Sequence, residues 1–250
     1  MRYEPRRYRQ QSINSNLVHF RIVVKETDVD IAVRPEVFSP ELVLRTEQLI
    51  RAERAALEAY IARDKTFLHA LEPYKPLPGA PDIARDMAAA AALCNVGPMA
   101  AVAGAFADRI GKALVRHSRD VVVENGGDIF LRSTRKRVIS IFAGASPFSN
   151  RIGLEIPPYL TPLGVCTSSG TIGPSLSFGR ADAVVVVATT ATLADAVATA
   201  AANRVRSPAD IEAAVAMATD VPGVIGAIAI VGDKLAVKGE LKLVPLAGTG

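Results

Sequence analysis

The sequence predicts an α+β fold made of two tandem β2α2β2 units, with antiparallel sheets and the helices packed on one face. Three observations carry that expectation. Short apolar runs come in pairs joined by polar or glycine-containing turns, as hairpins do. Longer segments with apolar residues at helical spacing fall between the pairs. The order strand, strand, helix, helix, strand, strand then occurs twice along the 250 residues, as a repeat of pattern and not of residues.

Each element has a local cause. Val18 to Val24 and Val29 to Val33 are strand-like runs separated by Lys25-Glu26-Thr27-Asp28, a hairpin. Ser39-Pro40-Glu41 supplies an N-cap, a proline at the first helical position and an early acid. Leu42, Leu49, Ile50, Leu57 and Ile61 continue that helix to about Leu71, where "EPYKPLPGAP" stops it. A second helical region, from Asp82 onward, is divided by Gly97-Pro98. Its later part aligns Gly97, Ala100, Ala101, Gly104 and Ala107, small residues that let either another helix or a flat ligand come close. Strands Asp120 to Val123 and Ile129 to Arg132 close the first half, 18–135.

The second half, 136–250, repeats the order with strands Val138 to Phe142 and Arg151 to Ile156, then helices Leu193 to Val205 and Pro208 to Ala218, the latter capped by Ser207. Strands Ile225 to Val231 and Lys234 to Val237 follow around Gly232-Asp233. A segment rich in Gly, Ser and Thr, 157–187, reads as an insertion. Alanine-rich helices and antiparallel edge strands are compatible with a homodimer.

Composition narrows the function classes. Half the residues are apolar and only 5% are aromatic, so the chain can bury a sizeable core of small side chains. Cys94 and Cys166 are the only cysteines and have no metal-ligand spacing, which argues against a disulfide framework or zinc site and fits a reducing cytoplasm. No signal peptide or membrane span is expected, because the longest apolar stretches are broken by Gly, Asp or Asn. The positive charge concentrates in an N-terminal arm, 1–17, with Arg2, Arg6, Arg7 and Arg9. Without a basic helix or interleaved aromatics it reads as a solvated leader, and no nucleic-acid partner is expected.

Three stretches carry more than structure requires. In "VVENGGDIF", Gly126 and Gly127 permit positive φ, and Asn125 and Asp128 can bond the amides of the turn, the ordinary wording of a tight hairpin. In "GVCTSSG", a strand opens into Thr167, Ser168, Ser169 and Gly170, whose amides and hydroxyls suit either a surface loop or a phosphate. The stretch lacks the lysine of a P-loop, and Cys166 has no histidine near it in sequence, so it reads as a buried thiol. In "LADAVATAAANRV", Asp195 and Thr199 share a helix face. They are either a helix-start acid and a helical threonine or an oxygen pair of the kind Mg²⁺ takes.

Taken in order, "NVGPMAAVAGAFAD", "VVENGGDIF", "CTSSG" and "LADAVATAAANRV" resemble the motifs of the ApbE-like superfamily over roughly Val18 to Val237, most closely a shorter, non-exported branch. The resemblance implies two tandem T-fold repeats, and Mg²⁺-dependent transfer of FMN from FAD to a Thr or Ser of an acceptor flavoprotein with release of AMP, or hydrolysis of FAD. It implies Asp195, Thr199 and, through its carbonyl, Ala100 as metal ligands. It also places Asn125, Gly126, Gly127 and Asp128 at the flavin and Thr167, Ser168, Ser169 and Gly170 beside the pyrophosphate.

The chain departs from the family in one motif. Where the transferases carry His-x-x-Asp-Pro, this sequence reads "TIGPSLSFGRADAVVVVA", and its three histidines, His19, His69 and His117, all lie elsewhere. Arg180 is the candidate there, as a phosphate partner or as a surface charge at a loop end. The expected function is therefore an FMN transferase or FAD pyrophosphate-cleaving enzyme. The alternatives are a flavin-binding protein without turnover, or an enzyme acting on another phosphorylated or pterin-like metabolite.

Overall fold

The computed structural model describes residues 16–169 and 179–246. Most of the basic arm and Gly170 lie outside them. Eight strands form one sheet, all antiparallel, in the order β1 (Val18–Val24), β2 (Thr27–Val33), β3 (Val121–Asn125), β4 (Asp128–Arg132), β7 (Leu163–Ser168), β8 (Ala183–Ala188), β9 (Val224–Val231) and β10 (Lys234–Gly239). The first four belong to one repeat and the last four to the other. Each repeat is a strand pair, helices and a second strand pair, as the sequence pattern predicts.

Six α-helices are described: α1 (Pro40–Arg63), α2 (Lys65–His69), α3 (Asp82–Leu93), α4 (Val102–Leu114), α5 (Ala191–Ala202) and α6 (Ile211–Thr219). They share one core with inward residues of the large sheet such as Val123, Phe130, Cys166, Val184 and Val186. The opposite face of that sheet is covered by a three-stranded sheet of β5 (Arg137–Ser140), β6 (Ile152–Ile156) and β11 (Lys242–Pro245), over Leu131, Val165, Val185, Val187 and Ile228.

This arrangement corrects the reading of the second half. The strands near 138–142 and 151–156 do not open the second repeat. They pair with each other, and the second also pairs with β11, a strand absent from the sequence reading. The segment 157–187 contains β7 and most of β8, the first strand pair of the repeat. The physical reason is that β8 is buried on both faces, so its six residues are uniformly apolar and show no alternation.

Local rules hold elsewhere. The Ser39 hydroxyl accepts from the Leu42 amide at 3.1 Å and starts α1. That helix ends at Arg63 and not near Leu71, because the Asp64 carboxylate binds the Tyr60 hydroxyl at 2.6 Å and the Tyr74 hydroxyl at 3.0 Å and caps a separate short helix through Phe67. Gly97-Pro98 divides the second helical region, and a Cβ on Gly97 would lie 1.7 Å from the Ala70 carbonyl oxygen. Among the described residues no single helix is long and apolar enough to cross a membrane.

Candidate functional site

The β3–β4 hairpin closes through Gly126 and Gly127, with φ of 73° and 109°, both in the region that favours glycine. The Glu124 carboxylate accepts from the Gly127 amide at 2.8 Å. Asn125 does not bond its own turn. Its side-chain amide reaches across to the Ala103 carbonyl of α4 at 3.0 Å and ties the hairpin to the start of that helix.

Strand β7 brings the Thr-Ser segment alongside. The Thr167 amide donates to the Gly127 carbonyl at 3.3 Å, and Asp128 stands opposite Cys166 in the β4–β7 register. Thr167, Ser168 and Ser169 are partly exposed at this end of the sheet. Cys166 is buried and its thiol donates to the Ala191 carbonyl at 3.3 Å. Burial first, then the charges of Asp128 and Asp195, push it well above the usual thiol range, as suits an inert thiol.

Helix α5 begins at Ala191, two residues before the expected start, so Asp195 lies in its second turn and does not serve its own helix end. Its carboxylate accepts from the Gly104 amide at 2.9 Å and from the Ala103 amide, the first-turn donors of α4. A Cβ on Gly104 would fall 2.2 Å from the Ala191 carbonyl oxygen and 2.8 Å from the Asp195 Cβ, so only glycine permits this helix crossing. Burial pushes the Asp195 carboxyl up to about 7, opposed only by the two amides. Its charge and burial together push the buried Cys94 thiol up to about 12, burial being the larger cause.

The reverse contact was not anticipated. Asp108 of α4 accepts from the Ala191 and Thr192 amides, each at 3.1 Å, and from the Thr192 hydroxyl at 2.6 Å. Each helix therefore caps the other. The sequence signal is a carboxylate four residues beyond each point of close approach, Asp108 after Gly104 and Asp195 after Ala191.

Thr199 lies one turn beyond Asp195, partly exposed. Ala100 sits in the 3-10 turn Pro98–Ala101 that leads into α4 and packs against α5. Carboxylate, hydroxyl and carbonyl are hard oxygen donors of the kind Mg²⁺ takes. Asp195 also has no Lys, Arg or His in ion-pair contact among the described residues, so the donor chemistry fits a cation. No cluster of three or more His, Cys, Asp or Glu suited to a metal occurs among them.

Arg180 is not brought to this pair. Its amide donates to the Val205 carbonyl at 2.7 Å, beyond the C-terminal end of α5, and its side chain is exposed. A cleft of about 240 Å³ bordered by Leu42, Leu49, Leu114 and His117 opens near the far end of α4 and touches none of these residues.

Solved structures share this architecture. The flavin transferase ApbE from Vibrio cholerae superposes with a TM-score of 0.60 at 13% identity, over 92% of this chain and 96% of that one. The ApbE protein of Thermotoga maritima gives 0.53 at 14% identity, over 90% and 97%. The fold is thus that of the ApbE flavin transferases.

Residues 9–237 match the family described as AbpE bacteria, and the chain belongs to that family. Among its relatives, a UPF0280 protein of Methanocella arvoryzae is 44% identical over 219 residues, 87% of each chain. Another, from Methanopyrus kandleri, is 42% identical over 236 residues, 91% of this chain and 93% of that one.

Proposed function

We propose that the protein is a Mg²⁺-dependent enzyme that binds FAD and cleaves its pyrophosphate, passing FMN to a hydroxyl of an acceptor flavoprotein or to water. The observation that carries this reading is the meeting of the Gly126-Gly127 turn, the Thr167 to Ser169 strand end and the Asp195–Thr199 face where α4 and α5 cross.

In this reading Asn125 and Asp128 border the flavin, and the two glycines let the ring lie against backbone. Thr167, Ser168, Ser169 and Gly170 donate to phosphate oxygens. Asp195, Thr199 and the Ala100 carbonyl would hold Mg²⁺, whose positive charge would offset that of the pyrophosphate. The acceptor oxygen bonds to the FMN phosphorus, the bond from that phosphorus to the bridging oxygen breaks, AMP leaves with that oxygen, and the hydroxyl proton passes to solvent. The two free, buried cysteines favour a reducing compartment, the cytoplasm.

One observation supports a second reading, a flavin-binding protein without turnover. No histidine stands in the interval before α5, and loss of a general base typically costs about 10²- to 10⁴-fold in rate. The test is to incubate the protein with FAD and Mg²⁺ and quantify AMP, beside an Asp195→Ala variant. AMP formed by the wild type only with metal, and at least ~100-fold faster than by the variant, is the expected result. A protein that holds FAD and releases no AMP overturns the enzyme reading in favour of the second.

A further inference from the structure

We infer that Asp108 is a positioning residue for the Asp195–Thr199 pair, acting through the N-terminus of α5, which it caps from the neighbouring helix. The inference rests on the reading of Asp195 and Thr199 as metal ligands.

The start of α5 depends little on its own residues. The Thr190 hydroxyl satisfies only the Leu193 amide, at 3.2 Å. The Ala191 and Thr192 amides and the Thr192 hydroxyl all go to Asp108, which is 2% exposed. The backbone there is also confined from below and from the side. A Cβ on Gly164 of β7 would meet the Ala191 Cα at 2.3 Å, and one on Gly104 of α4 would meet the Ala191 carbonyl oxygen at 2.2 Å.

These contacts oppose translation of α5 toward β7 or α4. The three hydrogen bonds to Asp108 fix its rotation about its own axis. Asp195 lies one turn further on, and its direction follows that rotation, with Thr199 one turn beyond on the same face. Without Asp108, two buried amides would have no partner, the first turn of α5 would loosen, and Asp195 would lose its fixed approach to Gly104.

Outer partners that orient a metal ligand are typically worth about 10- to 100-fold in metal affinity. The test is Mn²⁺ titration of the full chain, followed by the electron paramagnetic resonance of free Mn²⁺, with helix content checked by circular dichroism well below the unfolding temperature. Asp108→Ala is expected to weaken Mn²⁺ about 10-fold or more at unchanged helix content. Asp108→Asn keeps one acceptor oxygen and is expected to fall between it and the wild type.

Wild-type affinity in a folded Asp108→Ala variant overturns the inference, while loss of binding in Asp195→Ala leaves the metal reading standing. No Mn²⁺ binding by the wild type overturns both. If Asp108→Ala does not fold, Asp108→Asn decides: weakened binding supports the positioning role and unchanged binding overturns it.

Discussion

Asp108 on α4 and Asp195 on α5 occupy the same geometry twice over. Each lies four residues beyond the backbone contact of the two helices, and each accepts from the first-turn amides of the other helix. The difference lies one helical turn further along. Four residues after Asp108 stands Lys112, with its ammonium 3.8 Å from the carboxylate. Four residues after Asp195 stands Thr199.

Asp108 is therefore buried with a counter-charge from its own chain. Among the described residues Asp195 accepts only from amides, and burial of its carboxyl pushes it up to about 7. The comparison shows how one capping device serves two ends. On the proposed function, the carboxylate whose chain supplies the cation is structural, and the one whose chain supplies a hydroxyl is left for a cation from outside.

The sharpest way to break the comparison is to make the two ends alike. Thr199→Lys places an ammonium one turn from Asp195, as Lys112 stands to Asp108. The expected outcome is AMP formation from FAD reduced at least ~100-fold, since a metal-bound charge is worth several kcal/mol to such a step, with the unfolding temperature unchanged or raised. Activity near wild type with the variant folded would show that Thr199 does not mark the metal side.

A smaller effect concerns pH. Because burial raises Asp195 from 3.8 to about 7, the folded chain keeps a proton that the unfolded chain has released between those values. Stability from this group therefore falls as pH rises through that window and levels off above it. Asp195→Asn keeps an acceptor for Gly104 and removes the titration. Its unfolding temperature is expected to drop less than that of the wild type between pH 5 and pH 8, by a few degrees in differential scanning fluorimetry. Equal drops would show that Asp195 ionises freely in the folded state.

The legible parts of the fold were those with local causes. The β1–β2 hairpin, the Ser39 cap of α1, the Gly97-Pro98 break, the Gly126-Gly127 turn and the β9–β10 hairpin each depend on neighbouring residues, and the structure has all of them. The strand that opens into Thr167 is legible as β7, but its pairing with β8 is not, because β8 is covered on both faces and shows no alternation and the segment joining the two is rich in Gly and Ser. The early end of α1 was missed because Asp64 gathers Tyr60 and Tyr74, which helical spacing does not reveal.

The site follows the same rule. The Gly-Gly turn and the Asp195–Thr199 face were visible as motifs. Asp108 closes the motif NVGPMAAVAGAFAD, four residues after Gly104, but the amides it caps lie 83 and 84 residues away, so the motif alone does not show what it caps. An Asn-Gly pair ordinarily bonds within its own turn, whereas the side-chain amide of Asn125 reaches Ala103, 22 residues earlier, which no local wording reveals.

The central claim is that the Asp195 side of the helix crossing takes a cation from outside and the Asp108 side does not. Crystals of the protein grown with FAD and Mn²⁺, with data collected at the manganese edge, test it directly. The account predicts an anomalous peak bound by the Asp195 carboxylate and the Thr199 hydroxyl, with none beside Asp108. A peak at Asp108, or none at Asp195 in crystals that contain bound FAD, would contradict it.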